Sequence, residues 1–127
     1  MLDDLNILIV EDEALIALDL AMTLEDAGAD ISGPCMTVEN ALAWAEEADL
    51  AVLDVDLRGE DVFPVADRLR LSGTPFIFHT GRQDLAVLRE RYGDTVIIME
   101  KPARSDLIVS TLAQVISEYR PTRQQAH

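Results

Sequence analysis

Apolar residues fall along this chain in two alternating patterns, short continuous runs and longer stretches at near-helical spacing. The runs at residues 5–10, 50–53, 75–79 and 95–99, with a weaker one at 30–32, predict five strands. Between the first two, Ile16, Leu20, Leu24 and Ala27 predict a helix stopped by Gly28, since glycine tolerates the left-handed conformation of many helix ends. Ala41, Leu42, Trp44, Ala45 and Ala48 follow Thr37, whose hydroxyl suits an N-cap. Residues 64–71 end at Gly73 and residues 84–92 at Gly93, which predicts two more helices. Ile108, Leu112, Val115, Ile116 and Tyr119 share one side of a last helix, expected to halt near Pro121 and leave residues 122–127 as a polar tail.

Strand and helix alternate over the whole chain, so right-handed crossovers and a parallel sheet covered on both faces are expected. This is a doubly wound α/β fold with a five-stranded parallel sheet. Ile7 to Val10 and Leu50 to Leu53 are continuously apolar, as strands buried on both faces should be. A length of 127 residues suits one domain, placed at residues 1–121, and no repeat, linker or low-complexity segment marks a second.

Composition narrows the function. Apolar residues make up 49% and charged residues 27%, the mixture of a globular chain that folds without staples. With 24 acidic against 10 basic residues the formal charge is −14, which argues against direct nucleic-acid binding and against an anionic membrane surface. The single cysteine, Cys35, allows neither an internal disulfide nor a cysteine-based zinc site. The start lacks the basic end of a signal peptide and no apolar run approaches about 18 residues, so a cytoplasmic protein is expected.

In a parallel sheet, ligands bind beyond the carboxyl ends of the strands. Glu11, Asp12 and Glu13 follow the first predicted strand, Asp54 and Asp56 the third, Thr80 and Gly81 the fourth, and Lys101 and Pro102 the fifth. Singly, each has an ordinary use: acids suit a helix N-terminus, and Thr-Gly or Lys-Pro suits a turn. Together they crowd carboxylates that repel by about 4 kcal/mol per pair at about 4 Å and an effective dielectric near 20, so a cation is implied. Oxygen-only ligands with no histidine or cysteine among them suit a hard ion, Mg²⁺ rather than Ca²⁺. Asp54, directly after a buried strand, is placed to act as a nucleophile toward phosphorus, with Lys101 and the Thr80 hydroxyl to meet phosphoryl oxygens. His79, Cys35 and Trp44 are read as structural or packing residues.

Ile7 to Glu13, Leu53 to Gly59, His79-Thr80-Gly81 and Glu100-Lys101-Pro102 together resemble the receiver domain of bacterial two-component response regulators, over residues 4–119. The resemblance implies a flavodoxin-like strand order of 2-1-3-4-5 and a Lys101–Pro102 bond in the cis form. It implies that Glu11, Asp12, Asp54 and the Asp56 backbone carbonyl hold Mg²⁺, and that Thr80 and Lys101 contact phosphate. Asp54 would accept the phosphoryl group from a histidine kinase or phosphotransfer protein, and output would pass through protein partners. Phe78-His79-Thr80-Gly81 is also similar to the Phe-Ala-Thr-Gly stretch of alphaproteobacterial single-domain receivers linked to general stress signalling. His79 in place of alanine and Arg82-Gln83 after the stretch depart from that subgroup. Ile98 departs from the family, standing where many receivers carry the Tyr or Phe that turns inward on phosphorylation. Activation is therefore expected to work through Thr80 and its loop.

Three alternatives are separable. Asp54-Val55-Asp56 also resembles the nucleophile and acid/base pair of haloacid-dehalogenase phosphatases, but those place the nucleophile strand early and further metal acids after the lysine. A flavin carrier would need a hydroxyl- and glycine-rich loop after the first strand, where this chain has acids. An interaction module of the same fold that is not phosphorylated is not disproved by the sequence, although the complete ionic set favours the phosphoacceptor. The expectation is a signalling phosphoacceptor, not an enzyme beyond its own phosphorylation and slow dephosphorylation.

Overall fold

The computed structural model describes residues 1–82 and 85–125, the side chains of 120–125 excepted. Strands and helices alternate as β1 (Asn6–Val10), α1 (Ala14–Asp26), β2 (Asp30–Cys35), α2 (Val38–Trp44), β3 (Leu50–Leu53), α3 (Phe63–Leu71), β4 (Phe76–Thr80), α4 (Leu85–Tyr92), β5 (Ile98–Glu100) and α5 (Ser105–Gln125). All pairings in the main sheet are parallel and the order is β2-β1-β3-β4-β5, the doubly wound, flavodoxin-like arrangement. A separate two-residue ladder, Asp56–Leu57 against Glu60–Asp61, follows β3. Its tight turn has positive φ at both central residues, 52° at Arg58 and 89° at Gly59, as a two-residue hairpin of this hand requires.

Period-two alternation divides the strand side chains between two cores. Ile7, Ile9, Leu50, Val52 and Ile77 pack with Leu20 and Leu24 of α1 and with Ile108, Leu112 and Ile116 of α5. Leu8, Val10, Ala51, Leu53 and Phe78 face the other way, onto Ala41 of α2, Val65, Ala66 and Leu69 of α3, and Leu88 of α4. Both faces of β3 are therefore buried along its whole length. The register sets Val10 opposite Leu53, and the Asp54 amide donates to the Val10 carbonyl at 2.8 Å. The first residues beyond β1 and β3, Glu11 and Asp54, are thereby brought to the same sheet edge.

Local signals account for most element ends. Gly28 has φ of 100° just after α1, and the Ala29 amide closes back onto the Leu24 carbonyl at 3.1 Å. The Thr37 hydroxyl caps α2 by accepting from the Asn40 amide at 3.1 Å. Elsewhere the structure differs from the sequence pattern. β2 runs on to Cys35 through Gly33-Pro34, as an edge strand can because its outer amides need no partner. α2 tightens into a 3₁₀ turn at Ala45–Glu47, and Trp44 before it is 45% exposed rather than packed. β5 is shorter than the apolar run, with only Ile98–Glu100 in the ladder. α5 continues through Pro121 to Gln125, since a proline removes one backbone bond without ending the helix when its neighbours stay helical. The expected start of α4 at residue 84 lies outside the described residues.

Leu8 is fully buried, whereas Leu71 is 86% exposed at the end of α3. Leu8→Ala should lower the unfolding free energy by about 2–5 kcal/mol, while Leu71→Ala should change it by less than about 0.5 kcal/mol. Urea melts of the two variants check this, and similar midpoints would contradict the two-faced core.

Candidate functional site

The carboxyl edge of the sheet sets the Lys101 ammonium among several carboxylates. Lys101 follows β5 directly, its amide donating to the Thr80 carbonyl at 2.9 Å across the ladder. Its Nζ lies 2.8 Å from Glu11 Oε1, 2.9 Å from Asp54 Oδ2 and 3.5 Å from Glu13 Oε1. Glu11 and Asp54 are both buried, so these bonds form with little water to screen them. Glu11 Oε2 also accepts from the Glu13 amide at 3.1 Å, and Asp54 Oδ1 from the Asp56 amide at 3.4 Å.

Burial pushes the Glu11 carboxyl up to about 7, against the Lys101 bond, which draws it down, and with Asp54 adding to the rise. Burial acts against the Lys101 ammonium too, but its bonds to Glu11 and Asp54 outweigh that and hold it above its usual range. Glu11 and Asp54 are thus desolvated acids held against the Lys101 ammonium.

Of the sequence-predicted residues, Glu11, Asp12 and Asp54 each offer a carboxylate oxygen within 4.8 Å of one another. That is an all-oxygen donor set of the kind a hard divalent ion takes. Asp56 is exposed and its side chain stands outside this trio. Thr80 is the last residue of β4 rather than the first beyond it and is fully buried; its hydroxyl accepts from the Arg82 amide at 3.1 Å. Ile98 opens β5 opposite Phe78 and packs, half-buried, on the core beneath α2, α3 and α4. The Lys101–Pro102 bond is cis.

A cleft of about 410 Å³ opens over this edge, lined by Asp12, Asp54, Thr80 and Lys101 and by two arginines the sequence pattern did not select. Arg82 Nη1 lies 3.5 Å from Asp56 and 3.4 Å from Asp61, while Arg58 Nε is 4.0 Å from Asp12. Their place at the rim depends on loop conformation, which residue spacing does not encode. Glu13, read only as one of a run of acids, is the third carboxylate on Lys101, and the run itself was the available signal.

No family model matches the chain. Among solved structures, it is similar to the signal receiver domain of a modulated diguanylate cyclase from Desulfovibrio desulfuricans G20, at 30% identity and a TM-score of 0.81, covering 94% of this chain and 99% of that one. It is also similar to SdrG from Sphingomonas melonis Fr1, at 41% identity and a TM-score of 0.72, covering 87% of this chain and 94% of that one. Sensory transduction protein LytT of Bacillus subtilis is 30% identical over 130 residues, which is 97% of this chain and 54% of LytT. The chain belongs to the receiver domains of response regulators, the signalling domains of two-component systems. It spans between 36% and 58% of the length of the curated relatives it matches. Among the described residues, no helix is long and apolar enough to cross a membrane.

The Glu11 carboxyl holds its proton to about pH 7 when folded but only to about 4.5 when unfolded. Between these values the folded state binds more protons, so its stability falls as pH rises, by about 3 kcal/mol across the window. Glu11→Gln has no such proton to lose. Urea melts from pH 4.5 to 7 should therefore show the variant gaining on the wild type as pH rises; a constant difference would mean that Glu11 is ionised throughout.

Proposed function

We propose that this receiver is a phosphoacceptor whose nucleophile is Asp54. The observation that carries the reading is the convergence of Glu11, Asp12 and Asp54 within 4.8 Å, with the Lys101 ammonium 2.9 Å from Asp54, at the ligand-binding edge of a receiver sheet. The donor is a phosphohistidine on a histidine kinase or phosphotransfer protein. An Asp54 oxygen forms the new O–P bond as the P–N bond of the donor breaks, and the imidazole nitrogen departs with its electron pair. Mg²⁺ held by Glu11, Asp12, Asp54 and the Asp56 backbone carbonyl would supply positive charge to the transferring phosphoryl oxygens.

The chain's own groups do the rest. Lys101, already at Asp54, follows the negative charge onto a phosphoryl oxygen. The Thr80 hydroxyl accepts from the Arg82 amide and has its own proton to donate to a second phosphoryl oxygen. The bound group then loses phosphate slowly to water, and the signal passes to protein partners in the cytoplasm; a charge of −14 is poorly suited to reading nucleic acid directly.

Incubation with acetyl phosphate and Mg²⁺ should add one acid-labile phosphoryl group, about 80 Da, to the wild type and none to Asp54→Asn, as read by intact-protein mass spectrometry. An undiminished adduct on Asp54→Asn would remove Asp54 from the role. A wild type that takes up no phosphoryl group would favour an unphosphorylated interaction module. Asp12→Ala should weaken Mg²⁺ binding by more than the roughly tenfold that loss of an outer-shell partner costs. It should leave the metal-free protein as stable or more so, because one repulsive carboxylate is gone. Unchanged Mg²⁺ affinity and melting temperature in Asp12→Ala would reduce the acid pair to surface charge.

A further inference from the structure

His79 is a buried titratable side chain beside the cleft that the phosphoacceptor reading leaves unused. It is 3% exposed and sits in β4 next to Thr80, on the opposite face of the strand, in register with Met99 of β5. Its Nε2 accepts from the backbone amide of Ala103 at 3.4 Å. A neutral ring that accepts at Nε2 carries its proton on Nδ1, and Nδ1 is buried without a partner among the described residues. Burial, and then the Lys101 charge, disfavour a second proton, which keeps the Nε2 lone pair for Ala103.

An unpaired buried donor is a cost that an apolar side chain of the same size would avoid. The Nε2 bond is the return. Ala103 stands two residues beyond Lys101, and the Lys101 amide is itself tied to the Thr80 carbonyl at 2.9 Å. Neighbouring residues of β4 thus hold the segment from Lys101 to Ala103 at both ends, Thr80 through its backbone and His79 through its ring. The ammonium so aimed reaches Glu11 and Asp54 at 2.8 and 2.9 Å.

We propose that His79 is a positioning residue for Lys101: its imidazole holds the Ala103 amide and so fixes the turn that aims the Lys101 ammonium at Glu11 and Asp54. The consequence for phosphoryl transfer rests on the reading of Asp54 as phosphoacceptor; the positioning itself does not.

Lys101 is the only lysine in the sequence, so an amine-acylating reagent labels it and the N-terminus alone. The test compares His79→Leu, which keeps apolar bulk without an acceptor, and His79→Gln, whose Oε1 can accept in place of Nε2. In metal-free protein, peptide mass spectrometry should show Lys101 acylated about three- to tenfold faster in His79→Leu, and within about twofold of wild type in His79→Gln, the scale of one modest hydrogen bond. Wild-type labelling in His79→Leu, or an equal rise in both variants, would overturn the proposal and leave His79 a packing residue.

Mg²⁺ titration of the same proteins gives a second reading of opposite sign. A Lys101 loosened from Glu11 and Asp54 competes less for their oxygens, so His79→Leu should bind Mg²⁺ at least as tightly as wild type. Weaker binding would indicate general loosening of the site and would overturn the proposal. Phosphoryl uptake from acetyl phosphate keeps the two claims apart. A wild type that gains no phosphoryl mass refutes the role of Asp54 while the labelling still decides His79. A phosphorylated wild type whose His79→Leu variant labels normally refutes His79 and leaves Asp54 standing.

Discussion

Mutual repulsion among carboxylates at the end of a buried sheet is the constraint around which this molecule is arranged. Glu11 and Asp54 lose most of their water to the fold, and a fixed cation between them offsets their repulsion. Lys101 is that cation, within 3 Å of both. In a chain with a formal charge of −14, its single lysine is committed to this one place. On the phosphoacceptor reading, a divalent ion and a phosphoryl group would each rearrange charges already present, without a new polar pocket having to form.

What fixes the carboxylates is the sheet beneath them. Parallel strands end together, and the 2.8 Å bond from Asp54 to Val10 ties β3 to β1 one residue before the acids begin. The odd-numbered side chains of β1 lock against α1 and α5, and its even-numbered ones against α2 and α3. A shift of one residue in either strand would exchange the two cores, so the register is strongly specified and the acids inherit that precision. The site is a boundary condition of the core rather than an appendage to it.

This explains which parts were legible in the sequence. Strands with two buried faces must be apolar at every position, so β1 and β3 announced themselves, and the residues at their ends could be assigned to one edge by topology alone. Glu11, Asp12, Asp54, Thr80 and Lys101 all follow from that step. What depends on loop conformation did not follow. Arg58 reaches Asp12 from a turn with positive φ, and Arg82 reaches Asp56 and Asp61 from the end of β4. Glycines marked helix ends well because positive φ is nearly their own, whereas Pro121 misled because a proline weakens a helix without having to end it. His79 was read as a structural histidine; its acceptor role toward Ala103 arises from a contact between β4 and the loop after β5, which no local pattern encodes.

α4 is joined both to α3 and to β4. The C-terminal end of α4 is anchored: the Tyr92 hydroxyl donates to Asp67 at 2.8 Å, Arg91 pairs with Asp67 at 3.2 Å, and the Arg91 guanidinium lies 4.1 Å above the Phe63 ring. Tyr92 also meets Phe76 and Phe78 at centroid distances of 5.7 and 5.4 Å, which joins that end of α4 to β4 itself. At the end of β4, the Thr80 hydroxyl is bonded to the Arg82 amide. Ile98, branched at Cβ and packed opposite Phe78, is restricted at χ1. On the phosphoacceptor reading, a Thr80 hydroxyl drawn toward Asp54 would have to give up or drag the Arg82 amide, while Tyr92 keeps its own ties to Asp67, Phe76 and Phe78.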